Sequence, residues 1–125
     1  YNASKFAVKG ITEALRQELS GSQIHVTCVH PGGIKTNIAR NARVHNDMFG
    51  KAADPKKLAA DFDKLAATTA EEAARQIVRA IENNQKRLLI GKDAKALDAI
   101  QRLLPNHYDT VLGVGYKLMN KLAKR

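Results

Sequence analysis

A change of period most constrains what this chain can fold into. From Ser4 to Leu19 the apolar residues Val8, Ile11, Leu15 and Leu19 recur at helical spacing, with Ala7 and Ala14 beside them. Steps of three and four residues put such side chains on one stripe of an α-helix, so one buried stripe is expected. Ser20, Gly21 and Ser22 break the period. The run Ile24-His25-Val26-Thr27-Cys28-Val29-His30, closed by Pro31-Gly32-Gly33, then has the β-branched content and turn punctuation of a short buried strand. A helix that returns at once into a mostly apolar strand is the second half of a crossover unit. That predicts an α/β fold, with a parallel sheet flanked by helices.

The pattern occurs again further on. Lys35 to Ala53 is polar and aperiodic and is expected to be loop. Asp54-Pro55 has the chemistry of a helix start, Asp as N-cap and Pro at the first helical position, followed by Leu58, Phe62 and Leu65 on one face. Thr68 and Thr69 each stand three residues before a glutamate, Glu71 or Glu72, so a capping box is available to either threonine. Ala70, Ala73, Ala74, Ile77, Val78 and Ile81 then repeat with helical period for about four turns. Asn83-Asn84-Gln85 ends that helix, and Arg87-Leu88-Leu89-Ile90 before Gly91 is the next strand. Asp93 is expected to cap a helix with the stripe Leu97, Ile100 and Leu104, stopped by Pro105. Beyond it Tyr108, Val111, Leu112, Leu118, Met119 and Leu122 form a weaker amphipathic tail, interrupted by Gly113 and Gly115.

Composition narrows the classes. At 125 residues, with 44% hydrophobic and 26% charged residues, the chain has the makeup of one globular unit. Charges interrupt every apolar stretch well short of the roughly 18 residues that span a bilayer. Cys28 is the one cysteine and lies in the apolar run, which suits a buried structural thiol and a reducing, cytoplasmic setting. The histidines His25, His30, His45 and His107 lack metal-ligand spacing, so no metal is expected. The formal net charge of +9 is scattered, with its only concentration in Lys117, Lys121, Lys124 and Arg125 of the tail. With aromatic residues at 5% there are too few stacking platforms for a nucleic-acid partner.

Chemistry concentrates at two places. Tyr1 and Lys5 are four residues apart at the start of the first helix, hence on one face. A free phenol has a pKa near 10, but a cation within about 4 to 6 Å favours the phenolate and lowers that value. A phenol so tuned donates a proton to a developing alkoxide as a carbonyl is reduced, and accepts it in reverse. The second place is the Pro31-Gly32-Gly33 turn, which alone means only a turn, although its glycines would be compatible with backbone approaching a ligand at the carboxyl edge of a parallel sheet.

Together these stretches resemble a known family. Tyr1-Asn2-Ala3-Ser4-Lys5, continued by Phe6-Ala7-Val8-Lys9-Gly10 and the helix through Leu19, closely resembles the active-site helix of short-chain dehydrogenases/reductases, with its Tyr-x-x-x-Lys motif. Ile24 to Thr36 is similar to that family's strand and Pro-Gly-x-Ile-x-Thr cofactor turn, and Ala70 to Gly91 resembles its penultimate helix and last strand. The resemblance implies the C-terminal half of a Rossmann-like doubly wound parallel sheet over residues 1–105, with 37–67 as substrate-binding loop and 106–125 as basic tail. It implies an NAD(P)-dependent enzyme interconverting an alcohol and a carbonyl. Tyr1 would be the acid/base, while Lys5 tunes it and binds the nicotinamide ribose. Pro31, Gly32, Gly33, Ile34 and Thr36 would form the cofactor turn, Ile34 through its backbone and Thr36 through its hydroxyl.

The resemblance also implies that the chain is a segment of a longer protein. The family's glycine-rich phosphate turn, its Asn-Asn-Ala-Gly segment and its catalytic serine and asparagine all precede the tyrosine, and Ser4 does not match that serine. The fragment alone is therefore expected to be inactive. Phe49, Leu58 and Phe62 are candidates to line an apolar substrate pocket. A homodimer or homotetramer through the active-site helix and the final helix and strand is expected by analogy. The other class of function is a noncatalytic module that self-associates or binds anionic membrane surfaces through its basic tail.

Overall fold

A computed structural model describes residues 2–44 and 54–122, with side chains as far as residue 116. The elements in order are α1 (Asn2–Glu18), β1 (Cys28–Pro31), β2 (Ile34–Lys35), α2 (Pro55–Leu65), β3 (Thr68–Thr69), α3 (Ala70–Glu82), β4 (Arg87–Ile90), α4 (Lys92–Leu103) and α5 (Tyr108–Leu122). The fold is α/β with parallel strands, as the period changes predict. Strand β1 pairs with β4 in parallel, from Cys28 opposite Arg87 to Pro31 opposite Ile90. Strand β2 pairs with β3, Ile34 opposite Thr68 and Lys35 opposite Thr69. The chain divides into two units, Tyr1–Ala94 and Lys95–Arg125.

The first unit holds the core described here: Cys28, Ala66, Ala73, Ala80 and Ile90. Ile90 is 1% exposed, and burying a side chain of that size stabilises by about 1.5 to 3 kcal/mol. Helix α3 packs against β2, β3 and β4, and the residues it buries are the small Ala73 and Ala80. Its start is fixed by Thr69, whose hydroxyl accepts the Glu72 N–H at 3.2 Å. Glu72 does not complete the expected box. Its carboxylate takes hydrogen bonds from Arg75 and Gln76 instead, and these hold it below the usual carboxylate range. The helix ends at Asn83, and Asn84 takes a left-handed conformation (φ 51°) that reverses the chain toward β4. Helix α2 starts as expected, with the Asp54 carboxylate accepting from Lys56 and Lys57 N–H and Pro55 in the first turn.

Four expectations are corrected. The stripe of α1 is not buried in this chain: Val8, Ile11 and Leu15 are 59%, 67% and 41% exposed, because no described element packs over them. Strand β1 starts at Cys28 rather than Ile24, because its partner β4 offers only four rungs beginning at Arg87. Ile34 and Lys35 are not purely loop and turn, since they form β2. Helix α5 runs unbroken through Gly113 and Gly115, since a glycine weakens a helix by about 1 kcal/mol without forbidding it. Cys28 is a buried free thiol, as its apolar run predicts. No helix among the described residues is long and apolar enough to cross a membrane. The side chains of Leu118, Met119 and Leu122 and the basic cluster of the tail lie outside the described ones.

Candidate active site

The Pro-Gly turn leaves β1 where β1 and β4 both reach their carboxyl ends. Pro31 closes the pairing with Ile90, and Gly32 N–H donates to the Ile90 carbonyl at 2.9 Å. Gly33 N–H then donates to an Asp93 carboxylate oxygen at 2.6 Å. Ile34 and Lys35 pair next with Thr68 and Thr69, so five residues carry the backbone from one strand partner to another. Space is tight at both glycines. A Cβ on Gly33 would lie 3.0 Å from the Ala66 Cα, and one on Gly32 would collide with the Asp93 carboxylate. Among the described contacts of the Thr36 hydroxyl, the Ile34 carbonyl and the Ile38 N–H both lie at 3.5 Å, inside its own turn.

Asp93 is not the cap that its position suggested. Helix α4 begins at Lys92, which puts Asp93 inside the first turn, and its carboxylate reaches Gly33, sixty residues away. A negative charge in a first helical turn is favoured by the helix dipole.

Of the other predicted site residues, Tyr1 lies outside the described residues, and Lys5 stands in the first turns of α1. Near the other end of that helix, the Arg16 guanidinium donates to the Lys86 carbonyl at 3.3 Å, just before β4 begins. Lys5 is eleven residues before Arg16, about 16 Å along a helix axis, and four strand residues rise about 13 Å. Helix α1 passes into β1 by a short reversal in which Gly21 takes φ +91°.

Beyond the turn lies an open depression of about 400 Å³, lined by Lys35, Thr36, Asn37, Arg40 and Asp63. Arg40 donates to Asp63 at 2.7 Å, and this partner holds the guanidinium pKa above its ordinary value. A second depression, of about 340 Å³, shares Arg40 and Asp63 and is otherwise lined by Pro55, Lys56, Ala59 and Ala60 of α2. Leu58 and Phe62 line neither, and Phe49 lies outside the described residues. The sequence reading missed Lys35, Asn37, Arg40, Asp63 and Asp93. Its one available signal was a polar stretch directly after the turn. A side chain-free approach at Gly33, a hydroxyl with only long contacts described, and an amide and an ammonium around a polar hollow whose Arg40 is taken up by Asp63 suit the amide and phosphate groups of a nicotinamide dinucleotide. The residues present fit that group.

The comparisons with known proteins identify the family. The family model for short chain dehydrogenases matches residues 1–47, covering α1, β1 and the Pro-Gly turn. The chain belongs to the short-chain dehydrogenase/reductase family, a family of oxidoreductases. It is similar to SadH of Mycobacterium tuberculosis, which is named as an oxidoreductase, with 44% identity over 118 residues, 92% of this chain and 41% of SadH. It is 34% identical over 122 residues to dehydrogenase/reductase SDR family member 7B of Xenopus laevis, covering 97% of this chain and 36% of that one. Human dehydrogenase/reductase SDR family member 11 is 35% identical over 80 residues, 62% of this chain and 28% of its own length. The chain thus spans less than half the length of these relatives. No solved structure gives a significant match.

Proposed function

We propose that these residues supply the catalytic helix and cofactor turn of an NAD(P)-dependent oxidoreductase that interconverts an alcohol and a carbonyl. The observation that carries this reading is the Pro31–Thr36 turn, which leaves β1 at the carboxyl end of a parallel pair and opens onto a polar hollow. Ligands of open α/β sheets bind at such an edge. Lys5 lies in the first turns of the helix that feeds this strand.

The bound nicotinamide would supply or take the hydride at the substrate carbon. Tyr1 would move the accompanying proton, giving it to the alkoxide oxygen in reduction and taking it from the alcohol in oxidation. Lys5 would stabilise the phenolate by its positive charge and hold the ribose hydroxyls. The Ile34 backbone would hold the carboxamide, and Pro31, Gly32 and Gly33 would keep that backbone close to the ring. Thr36, with Lys35 and Asn37 around the same hollow, would meet the phosphate side. The glycine-rich half and the catalytic serine of such an enzyme belong to sequence beyond these residues, and the segment alone is inactive. The enzyme works in the cytoplasm, a reading supported by the lone buried thiol of Cys28. It assembles as a homodimer or homotetramer, a reading supported by the exposed stripe Val8, Ile11 and Leu15.

The test is Tyr1→Phe in the whole protein, assayed with NAD and NADP against a panel of secondary alcohols and ketones. Turnover is expected to fall by about 10²- to 10⁴-fold, the range a positioned general acid contributes. Dinucleotide affinity should stay within a small factor. Undiminished turnover in the variant removes Tyr1 from the chemistry.

A further inference from the structure

Strand pairing between β1 and β4 stops at Pro31 and Ile90, yet the next two amides are both satisfied from the β4–α4 side. Gly32 N–H takes the Ile90 carbonyl, and Gly33 N–H takes the Asp93 carboxylate. The carboxylate thus adds one further rung to the ladder, made by a side chain. Two glycines leave room for it. A Cβ on Gly32 or on Gly91 would overlap the same carboxylate, and Gly91 also takes φ +94°, which side chains rarely adopt. On its other side the turn meets Ala66, which is 1% exposed and 3.0 Å from where a Gly33 Cβ would be. Backbone that would reach a nicotinamide is therefore held between a buried alanine and an acid anchored in a helix.

We propose that Asp93 is the positioning residue of the cofactor turn, fixing Gly32 and Gly33 through its carboxylate so that the Ile34 backbone is presented to the nicotinamide end of the dinucleotide. This assignment rests on the function proposed above and adds a residue to it. Asp93 moves no proton and touches no reacting atom. A hydrogen bond to a charged group is stronger than a neutral one, and a backbone amide held this way loses the freedom to turn toward solvent. Without it, Gly32 and Gly33 have no side chains to restrict them, and the turn must be ordered when the dinucleotide binds.

The experiment uses Asp93→Ala and Asp93→Asn in the whole protein, with two readouts. The first is the Gly33 amide, followed by ¹⁵N-resolved NMR and hydrogen exchange without dinucleotide. Asp93→Ala should move that resonance upfield and speed its exchange about tenfold or more, the factor one charged hydrogen bond carries. Asp93→Asn keeps an acceptor oxygen of the same reach and should restore most of the protection. The second is fluorescence titration with NADH and NADPH, together with the split of KM from kcat. Asp93→Ala should raise the dinucleotide Kd and KM about tenfold and leave kcat at saturation within about twofold, with Asp93→Asn between it and the parent. An unchanged Gly33 amide in Asp93→Ala overturns the latch, and so does an unchanged dinucleotide Kd with altered Gly33 exchange. A loss of kcat alone would make Asp93 catalytic and overturn it too. If the parent protein binds neither dinucleotide, the functional reading and the positioning role toward it both fail, while the amide data still show whether the latch exists. Circular dichroism distinguishes a folded variant from an unfolded one, and should Asp93→Ala unfold, Asp93→Asn carries both comparisons.

Discussion

Helices α1 and α3 have the same kind of sequence and differ in how much of it they bury. Both carry apolar residues on three- and four-residue steps. Helix α3 turns Ala73 and Ala80 into the core but leaves Val78 and Ile81 54% and 59% exposed, whereas α1 buries no residue and leaves Ile11 67% exposed. Periodicity records that a stripe exists, and only the tertiary structure says what covers it. The difference also separates two contributions: α3 gives two residues to the core of the unit, while α1 gives none.

The comparison is easiest to break at Ala80, which is 1% exposed. Ala80→Leu should destabilise the first unit by about 1 to 3 kcal/mol, because added methylenes have no space in a packed interface. Urea unfolding followed by circular dichroism measures it, and a cost near zero would mean that α3 packs loosely. Next comes the cap. Thr69→Ala removes the acceptor of the Glu72 N–H and should cost about 1 kcal/mol in the same assay. The smallest effect is expected on α1, where Ile11→Ser should change monomer stability by no more than about 0.5 kcal/mol. If the stripe is instead covered by a second copy, that substitution shifts the oligomer toward monomer in sedimentation. A large stability loss in a protein that stays monomeric would show that part of this chain covers the stripe after all.

How much of this was legible before the structure depended on the range of the interactions. The start of α2 was readable because Asp54 and Pro55 act on amides two and three residues away. Strand β4 and helix α3 were readable because pattern and punctuation coincide there. The start of β1 was not, since the length of β4 sets it from sixty residues off. Strands β2 and β3 have two residues each, too few for any alternation to show. In the candidate site, the Pro31–Thr36 turn and the Lys5 helix were evident from local motifs. Asp93 looked like an ordinary cap because the same carboxylate can serve a neighbouring amide or a distant one, and composition does not say which. Arg40 and Asp63, twenty-three residues apart, were indistinguishable from other surface charges until the ion pair joined them.

The pairing of Ile34 and Lys35 with Thr68 and Thr69 ties off, at its base, everything between residues 35 and 68. A chain excursion closed this way can grow or shrink at small entropic cost, since each doubling of its length adds only about 0.6 kcal/mol. The flanks enjoy no such latitude, because Thr69 is at once a rung beside Lys35 and the cap of α3. One residue inserted there would part the two duties. Family members built on this plan should therefore differ in length inside the excursion and keep strict spacing at its neck.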